Sequence, residues 1–307
     1  MSPAPRSLRL AMTGSSGLIG SAVARSLDAA GHVVVRLVRR PPASPDEVRW
    51  DPRTGLCDDS RLEGLDGVIH LAGENIAGRR WTEAHKAEIR RSRVEGTRML
   101  CGALARLDRR PAVLLSASAV GIYGDRGGAR LREDSEPGMG FLASVCRDWE
   151  QATAPAAEAG IRVVLARFGM VLSPSGGALR RMLTPFRLGI GGRVGSGAQF
   201  VSWIAIEDVA GAVRHALQSD RLAGPVNFVA PEPVTNAEFT RVLARVLRRP
   251  ALLPLPALAA RLALGEMADE LLLGGQRALP ARLAATGYAF AHPGLEEALR
   301  HLLLRQA

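Results

Sequence analysis

The sequence predicts an α/β fold, a doubly wound and mainly parallel sheet with a small, mainly helical C-terminal subdomain, and three observations point to it. Short apolar runs rich in β-branched residues alternate with stretches of helical periodicity through most of the chain. The first run ends in glycines spaced as Gly14, Gly17 and Gly20 and then enters a helical stretch. Beyond Pro250 the strand pattern gives way to helix.

Residues 8–12 are the first apolar run, and helical patterning follows over 21–30 until Gly31 closes it. Residues 32–38, with Val33, Val34 and Val35 in succession, supply a second strand that Pro41 and Pro42 stop. Together they make one βαβ unit of about thirty residues, the length that the crossover requires. Further strands are expected at 48–50, 67–72, 113–116 and 161–166, with the longest helix over 82–107 and another over 141–159. Residues 225–229 read as a strand, and Thr235 with Glu238 forms a capping box that opens a helix to Leu247. From Pro250 onward the chain reads as wholly helical. The expected organisation is therefore one domain over 1–249 and a small helical subdomain over 250–307.

A chain of 307 residues with 47% hydrophobic content can bury a sizeable core, so disorder is not the default. Cys57, Cys101 and Cys146 lack the close spacing of a zinc site and read as ordinary thiols, and no metal is expected. A net charge of +10 raises nucleic acid as a partner, but the basic residues come as scattered pairs such as Arg79 with Arg80 and Arg248 with Arg249. Only 4% of residues are aromatic, too few to form a base-stacking platform, and solvated helix faces are the better account; no nucleic-acid partner is expected. The leucine-rich stretch over 251–273 is broken by Pro254, Pro256, Arg261, Glu266 and Asp269, so no membrane span is expected. Gly14 is reached before a signal-peptide core can develop, and the expected location is the cytoplasm.

The glycine triplet lies between a strand and a helix, with a second strand after the helix. In that context Gly14 permits a tight turn, Gly17 lets backbone amides approach a pyrophosphate, and Gly20 lets helix and strand pack closely. This is the dinucleotide-binding arrangement of a Rossmann-type sheet, with the anion on the helix N-terminus. At the end of the second strand an acid would bind the ribose hydroxyls of NAD, whereas this chain offers Arg39 and Arg40 and has no acid between Gly31 and Asp46. A guanidinium there suits the extra phosphate of NADP(H), the expected cofactor.

These residues, with His70-Leu71-Ala72-Gly73, Arg93-Val94-Glu95-Gly96-Thr97 and the segment from Ser116 to Tyr123-Gly124, resemble the extended short-chain dehydrogenase/reductases of the NAD-dependent epimerase/dehydratase group. A narrower resemblance, through Glu74-Asn75-Ile76, Trp149-Glu150, Gly176-Gly177, Val201-Ser202-Trp203 and Gly265-Glu266-Met267, is to its atypical "epimerase family protein" branch, whose C-terminal domain has no assigned function. The resemblance implies Gly14, Leu18 and Ile19 under the pyrophosphate, Arg39 at the adenosine phosphate and Leu71 with Ala72 along the cofactor. It also brings Glu88 and Arg93 to NADP(H), although Glu88 reads equally well as an exposed helix acid paired with nearby arginines. Arg93 stands where typical members carry asparagine.

The catalytic carry-over breaks. Typical members use a tyrosine acid or base and a lysine four residues later, but Lys86 is the only lysine here, and the matching positions are Phe141 and Val145. The family's upstream hydroxyl falls on Ala119, or on Ser118 with a shift of one residue. The polar groups that remain near the expected nicotinamide end are Glu74, Asn75, Ser116, Ser118 and Tyr123. Of these, Tyr123, Glu74 and Ser118 are the candidates for proton transfer, with a bound water as an alternative. If Tyr123 is the donor, its phenol must meet the substrate with a lowered pKa. Packing is the alternative for its ring, backbone bonding for Ser118, and an arginine pair for Glu74. Cys146 has no partner histidine and reads as structural. Two functions fit: an oxidoreductase or epimerase on a carbonyl or hydroxyl of an unknown small-molecule substrate, or a non-catalytic NADPH sensor. The sequence is silent on the substrate and on the oligomeric state.

Overall fold

The computed structural model describes residues 7–304. Its first half runs β1 (Arg9–Thr13), α1 (Leu18–Ala29), β2 (Val33–Val38), β3 (Glu47–Asp51), β4 (Leu56–Cys57), β5 (Gly67–His70), α2 (Glu83–Ala105) and β6 (Val113–Ala119). Next come β7 (Arg130–Leu131), α3 (Phe141–Gln151), α4 (Ala154–Glu158), β8 (Arg162–Phe168), β9 (Met170–Leu172) and α5 (Gly177–Arg187). The rest is β10 (Phe200–Val201), β11 (Trp203–Ala205), α6 (Ile206–Gln218), β12 (Gly224–Phe228), β13 (Val234–Thr235), α7 (Asn236–Leu247), α8 (Ala257–Leu264), α9 (Glu266–Ala268), β14 (Arg277–Ala278), α10 (Ala281–Ala285) and α11 (Leu295–Leu304).

Eight strands form one sheet in the order β12-β8-β6-β5-β1-β2-β3-β4. Every pairing from β12 to β3 is parallel, and only β4 returns antiparallel. The chain winds outward from β1 through β2 and β3 and resumes on the other side of β1 at β5. That reversal places a crevice beyond the carboxyl ends of β1 and β5, where open α/β sheets bind ligands.

Both sheet faces are buried, which is why the strands read as nearly continuous apolar runs. Leu10 and Met12 of β1 pack with Val23 and Leu27 of α1 and Val209 and Val213 of α6. Ala11, pointing the other way, packs with Val35, Leu37 and the α2 residues Leu100 and Leu104. A fully buried leucine such as Leu10 contributes about 1.5–3 kcal/mol.

Two expectations need correction. The helix expected over 141–159 is two helices: Thr153 Oγ1 donates to the Glu150 carbonyl at 2.7 Å, and Pro155 has no N–H with which to continue the ladder. The segment beyond Pro250 is not wholly helical, because β14 pairs with β7 in parallel and Leu255 bridges to Val194. This segment packs into the body of the protein. Leu295, Leu299 and Leu302 of α11 join Phe239, Leu243 and Val246 of α7 in one apolar cluster. Asp208 of α6, only 1% exposed, accepts from the Ala291 amide at 2.7 Å, the His292 amide at 2.9 Å and the Tyr288 hydroxyl at 3.1 Å.

Candidate functional site

A cleft of about 850 Å³ opens at the switch between β1 and β5, and Gly14, Gly17, Arg39, Arg40, Leu71, Ala72, Glu74 and Glu88 all line it. Gly14 has φ of +67°, and a Cβ there would stand 2.8 Å from the Leu71 carbonyl carbon. Any side chain would part the turn from the β5 end. Gly17 caps α1 with no side-chain bond, leaving first-turn amides to receive an anion. Gly20 works differently from expectation: a Cβ on it would meet the Gly14 carbonyl oxygen at 2.1 Å, so it is the turn, not the strand, that α1 packs against. Leu18 lies behind the turn against Gly176 and Gly177, and Ile19 packs into two apolar clusters.

The floor is fixed by a buried chain of side chains. Thr13 Oγ1 accepts from the amides of Leu71 (3.0 Å) and Ala72 (3.1 Å), which draws these residues out of β5 and ends the strand at His70. With both lone pairs engaged, the Thr13 hydroxyl donates to His70 Nδ1 at 2.8 Å. Nε2 then carries the ring proton and donates to Thr97 Oγ1 at 2.9 Å, where Trp149 Nε1 also donates. This accounting assigns a neutral His70, and complete burial pushes its pKa down to about 4.

At the end beside β2, the two arginines differ. Arg40 is forked onto Glu47 by bonds of 2.8 and 2.5 Å, and those bonds hold the Glu47 carboxyl below its ordinary pKa. Arg39 is exposed, lines the cleft and has no hydrogen bond or ion pair among the described residues. Glu88 is partly buried and pairs with Arg91 one turn along α2, the arrangement foreseen for a helix acid. Arg36 and Trp50 also line this end, and no motif had marked them.

On the wall formed by the β5 end and α2, Glu74 is partly buried, its amide held by Ser92 Oγ at 3.0 Å. Its carboxylate has no hydrogen bond or ion pair among the described residues. Arg93 stands behind this turn, its Cζ 3.4 Å from where a Cβ on Gly73 would sit and 5.1 Å from the Trp149 ring centroid. Burial lowers the Arg93 pKa, and among the described residues its one hydrogen bond goes to the Ile89 carbonyl at 3.2 Å.

Tyr123 and Ser118 are not in the cleft lining. Tyr123 is fully buried; its hydroxyl donates to Asn227 Oδ1 at 2.8 Å and accepts from Arg167 at 2.9 Å. The lowered pKa expected of a donor is corrected: burial raises it and outweighs the Arg167 charge. Ser118 donates to Glu150 Oε1 at 2.7 Å, and both Glu150 oxygens accept from Arg167 at 2.8 Å. Val145 is 1% exposed among Trp81, Ile89 and Met267. Phe141 opens α3, with its amide on Glu270 Oε1 at 2.9 Å. Lys86 reaches its ring from α2, Nζ lying 5.5 Å from the centroid, and is paired with Glu83 and Glu266. Burial pushes the Cys146 thiol up to about 12, as befits a structural cysteine.

The model of the NAD dependent epimerase/dehydratase family matches residues 10–229, and that of a domain of unknown function, DUF1731, matches residues 255–302. Epimerase family protein Mb2239 of Mycobacterium bovis is 49% identical over 296 residues, which are 96% of this chain and 98% of the relative. The crystal structure of human epimerase family protein SDR39U1 (isoform 2) with NADPH is similar with a TM-score of 0.88 at 37% identity, covering 96% of this chain and 99% of that one. The structure described as the nucleoside-diphosphate sugar epimerase from Corynebacterium glutamicum gives 0.82 at 39% identity, covering 97% and 58%. Strand order, glycine turn and these matches agree with the fold and the resemblance expected from sequence. The chain belongs to the NAD dependent epimerase/dehydratase family, in the "epimerase family protein" branch that carries DUF1731 at its C-terminal end.

Proposed function

We propose that this protein is an NADP(H)-dependent oxidoreductase or epimerase-like enzyme acting on a carbonyl or hydroxyl of a small molecule, a sugar nucleotide being one class that fits, with Glu74 as its proton-handling group. The cofactor reading rests on Arg39, a guanidinium unpaired among the described residues, at the end of β2 where NAD binders place an acid. Glu47 on the adjacent strand is neutralised by Arg40 and does not oppose a phosphate there. The glycine turn fits a pyrophosphate, since its close backbone contacts leave no room for side chains on Gly14 or Gly20. The NADPH-bound human relative supports the same reading. Bound nicotinamide would supply or accept the hydride.

The residues of this chain divide the remaining work. Thr13 and His70 hold the Leu71–Ala72 turn, Arg39 would take the 2′-phosphate, and Ser92 fixes the Glu74 backbone. Of the three groups nominated for proton transfer, only Glu74 lines the cleft with its carboxylate uncommitted. Three unpaired cysteines suit a reducing compartment, and we place the protein in the cytoplasm. No helix among the described residues is long and apolar enough to cross a membrane.

The test is to purify the protein, identify any nucleotide it retains, and screen carbonyl compounds for NADPH oxidation. Glu74→Gln should then lower turnover by about 10²-fold or more with NADPH affinity unchanged. Full turnover in Glu74→Gln would remove the acid role. Retained NADPH with no turnover on any substrate would favour the second reading, a non-catalytic NADPH sensor, which the apolar Phe141 and Val145 already support.

A further inference from the structure

Away from the nucleotide cleft, three side chains of metal-ligating type converge where the C-terminal segment meets α6. Glu207 is in the first turn of α6, His292 precedes α11, and His301 lies on α11. One ligand atom from each lies within 4.8 Å of the other two. The imidazoles face each other with centroids 4.2 Å apart and planes tilted by 35°. His301 Nε2 is 3.7 Å from the Glu207 carboxylate, and His292 Nδ1 is 3.9 Å from that of Glu297, one helical turn before His301.

A second observation marks the cluster as more than a surface coincidence. His292 Nδ1 is sealed from solvent and has no hydrogen-bond partner among the described residues, an uncommon state for a buried nitrogen and one that a bound cation relieves. Its position is built in, because the His292 amide donates to Asp208 Oδ2 at 2.9 Å, and Asp208 also takes the Ala291 amide and the Tyr288 hydroxyl. None of these residues lines the nucleotide cleft.

We propose that Glu207, His292 and His301 form a zinc site that fastens α11 to the start of α6. The donor set argues for the metal. Two imidazoles disfavour calcium and magnesium, which prefer oxygen ligands, while a mixture of histidine and carboxylate suits zinc. Tetrahedral donors at about 2.0–2.2 Å from zinc lie about 3.3–3.6 Å apart. The 3.7 Å separation of the Glu207 carboxylate from His301 Nε2 closes to that range by rotation of Glu207, whose side chain is 44% exposed. The site gives the C-terminal domain a concrete task, locking its last helix onto the nucleotide-binding body.

The experiment uses tag-free full-length protein. Zinc affinity is measured by competition with a chromophoric chelator, stoichiometry by elemental analysis, and unfolding temperature with zinc or magnesium chloride. One zinc per chain with a sub-micromolar Kd is expected, with a rise in Tm given by zinc and not by magnesium. His301→Ala, at a position 25% exposed and tolerant of truncation, should weaken binding by about 100-fold or more and abolish the rise in Tm. His292→Asn should do the same, and NADPH affinity should stay at the parent value in both. If His292→Asn does not fold, His301→Ala decides alone. Equal zinc affinity in parent and His301→Ala, binding by the parent weaker than about 100 µM, or an equal Tm shift from magnesium would each overturn the proposal.

Discussion

Arg39 and Arg167 are the same residue type at the two ends of one molecule, and their surroundings give them opposite uses. Arg39 stands exposed at the cleft rim with no hydrogen bond or ion pair among the described residues. Arg167 is 5% exposed and spends its donors on both Glu150 oxygens, the Tyr123 hydroxyl and the Glu133 carbonyl. A buried charge this fully paired cannot be redirected to a ligand without leaving its partners uncompensated. The difference teaches that the β2 end of the cleft is built to bind, while the Tyr123 network is built to hold the fold. On the proposed enzymatic reading, proton transfer then comes from a group outside that network, which is why Glu74 is proposed.

The largest expected effect comes from forcing the family's catalytic pair into the closed region. Phe141→Tyr with Val145→Lys puts an ammonium at a position 1% exposed among Trp81, Ile89 and Met267. We expect a loss of about 3–5 kcal/mol in urea unfolding, the cost of an uncompensated buried charge, and no robust dehydrogenase activity. Strong carbonyl turnover by a stably folded double variant would show the two regions to be less distinct than argued.

Acid tests the joint between them, where His70 links the Leu71–Ala72 turn to Trp149 through Thr13 and Thr97. A histidine whose folded pKa is about 4 against an ordinary 6.5 binds fewer protons folded than unfolded. Its neutral form supports the fold fully above pH 6.5, and that support is lost as pH falls toward about 4. The loss is about 2 kcal/mol by pH 5 and roughly 3 kcal/mol below pH 4. His70→Gln, which does not titrate, should lower stability at pH 7 but flatten its slope between pH 7 and 5. An unchanged slope in that variant would place the titrating group elsewhere.

At the open end, Arg39→Asp should weaken NADPH binding by about 2–3 kcal/mol and leave NADH nearly unaffected, because it removes a charge-assisted contact to the 2′-phosphate and adds repulsion. The same substitution at Arg40 has a different outcome. It frees Glu47 and loosens the 41–47 loop, so both cofactors should suffer alike. Calorimetric titrations showing equal losses for the two cofactors with Arg39→Asp would remove Arg39 from the phosphate site.

Local chemistry made the binding end legible. Gly14, Gly17 and Gly20 lie within one turn and helix, and Arg39 follows a run of valines that can only be a strand. The committed end was hidden because its partners are distant in sequence. Tyr123 meets Asn227 at 104 residues' separation, and Glu270 caps α3 at Phe141 across 129. No periodicity reports such pairings. The two-residue strands β7 and β14 are likewise too short to show alternation, so the C-terminal segment read as helix throughout. The strand-end pattern alone did not separate Arg39 from Arg40; the resemblance singled out Arg39, and the fold brings Glu47 to Arg40.

The smallest effect separates the two ends most cleanly. Tyr123→Phe keeps the ring and removes the hydroxyl, leaving Asn227 Oδ1 without its phenolic donor, while the Arg167 nitrogen keeps the Glu133 carbonyl at 3.1 Å. A buried acceptor stripped of one donor loses about 1–2 kcal/mol, visible as a lower urea midpoint at unchanged m. Because the hydroxyl is fully buried and its pKa is raised, it is poorly suited to proton transfer in the cleft. Tyr123→Phe should therefore retain NADPH affinity and turnover within about twofold, once the stability loss is allowed for. A drop of about 10²-fold in turnover with no loss of stability would reverse the assignment, making Tyr123 the acid and the Arg167 network part of the catalytic machinery.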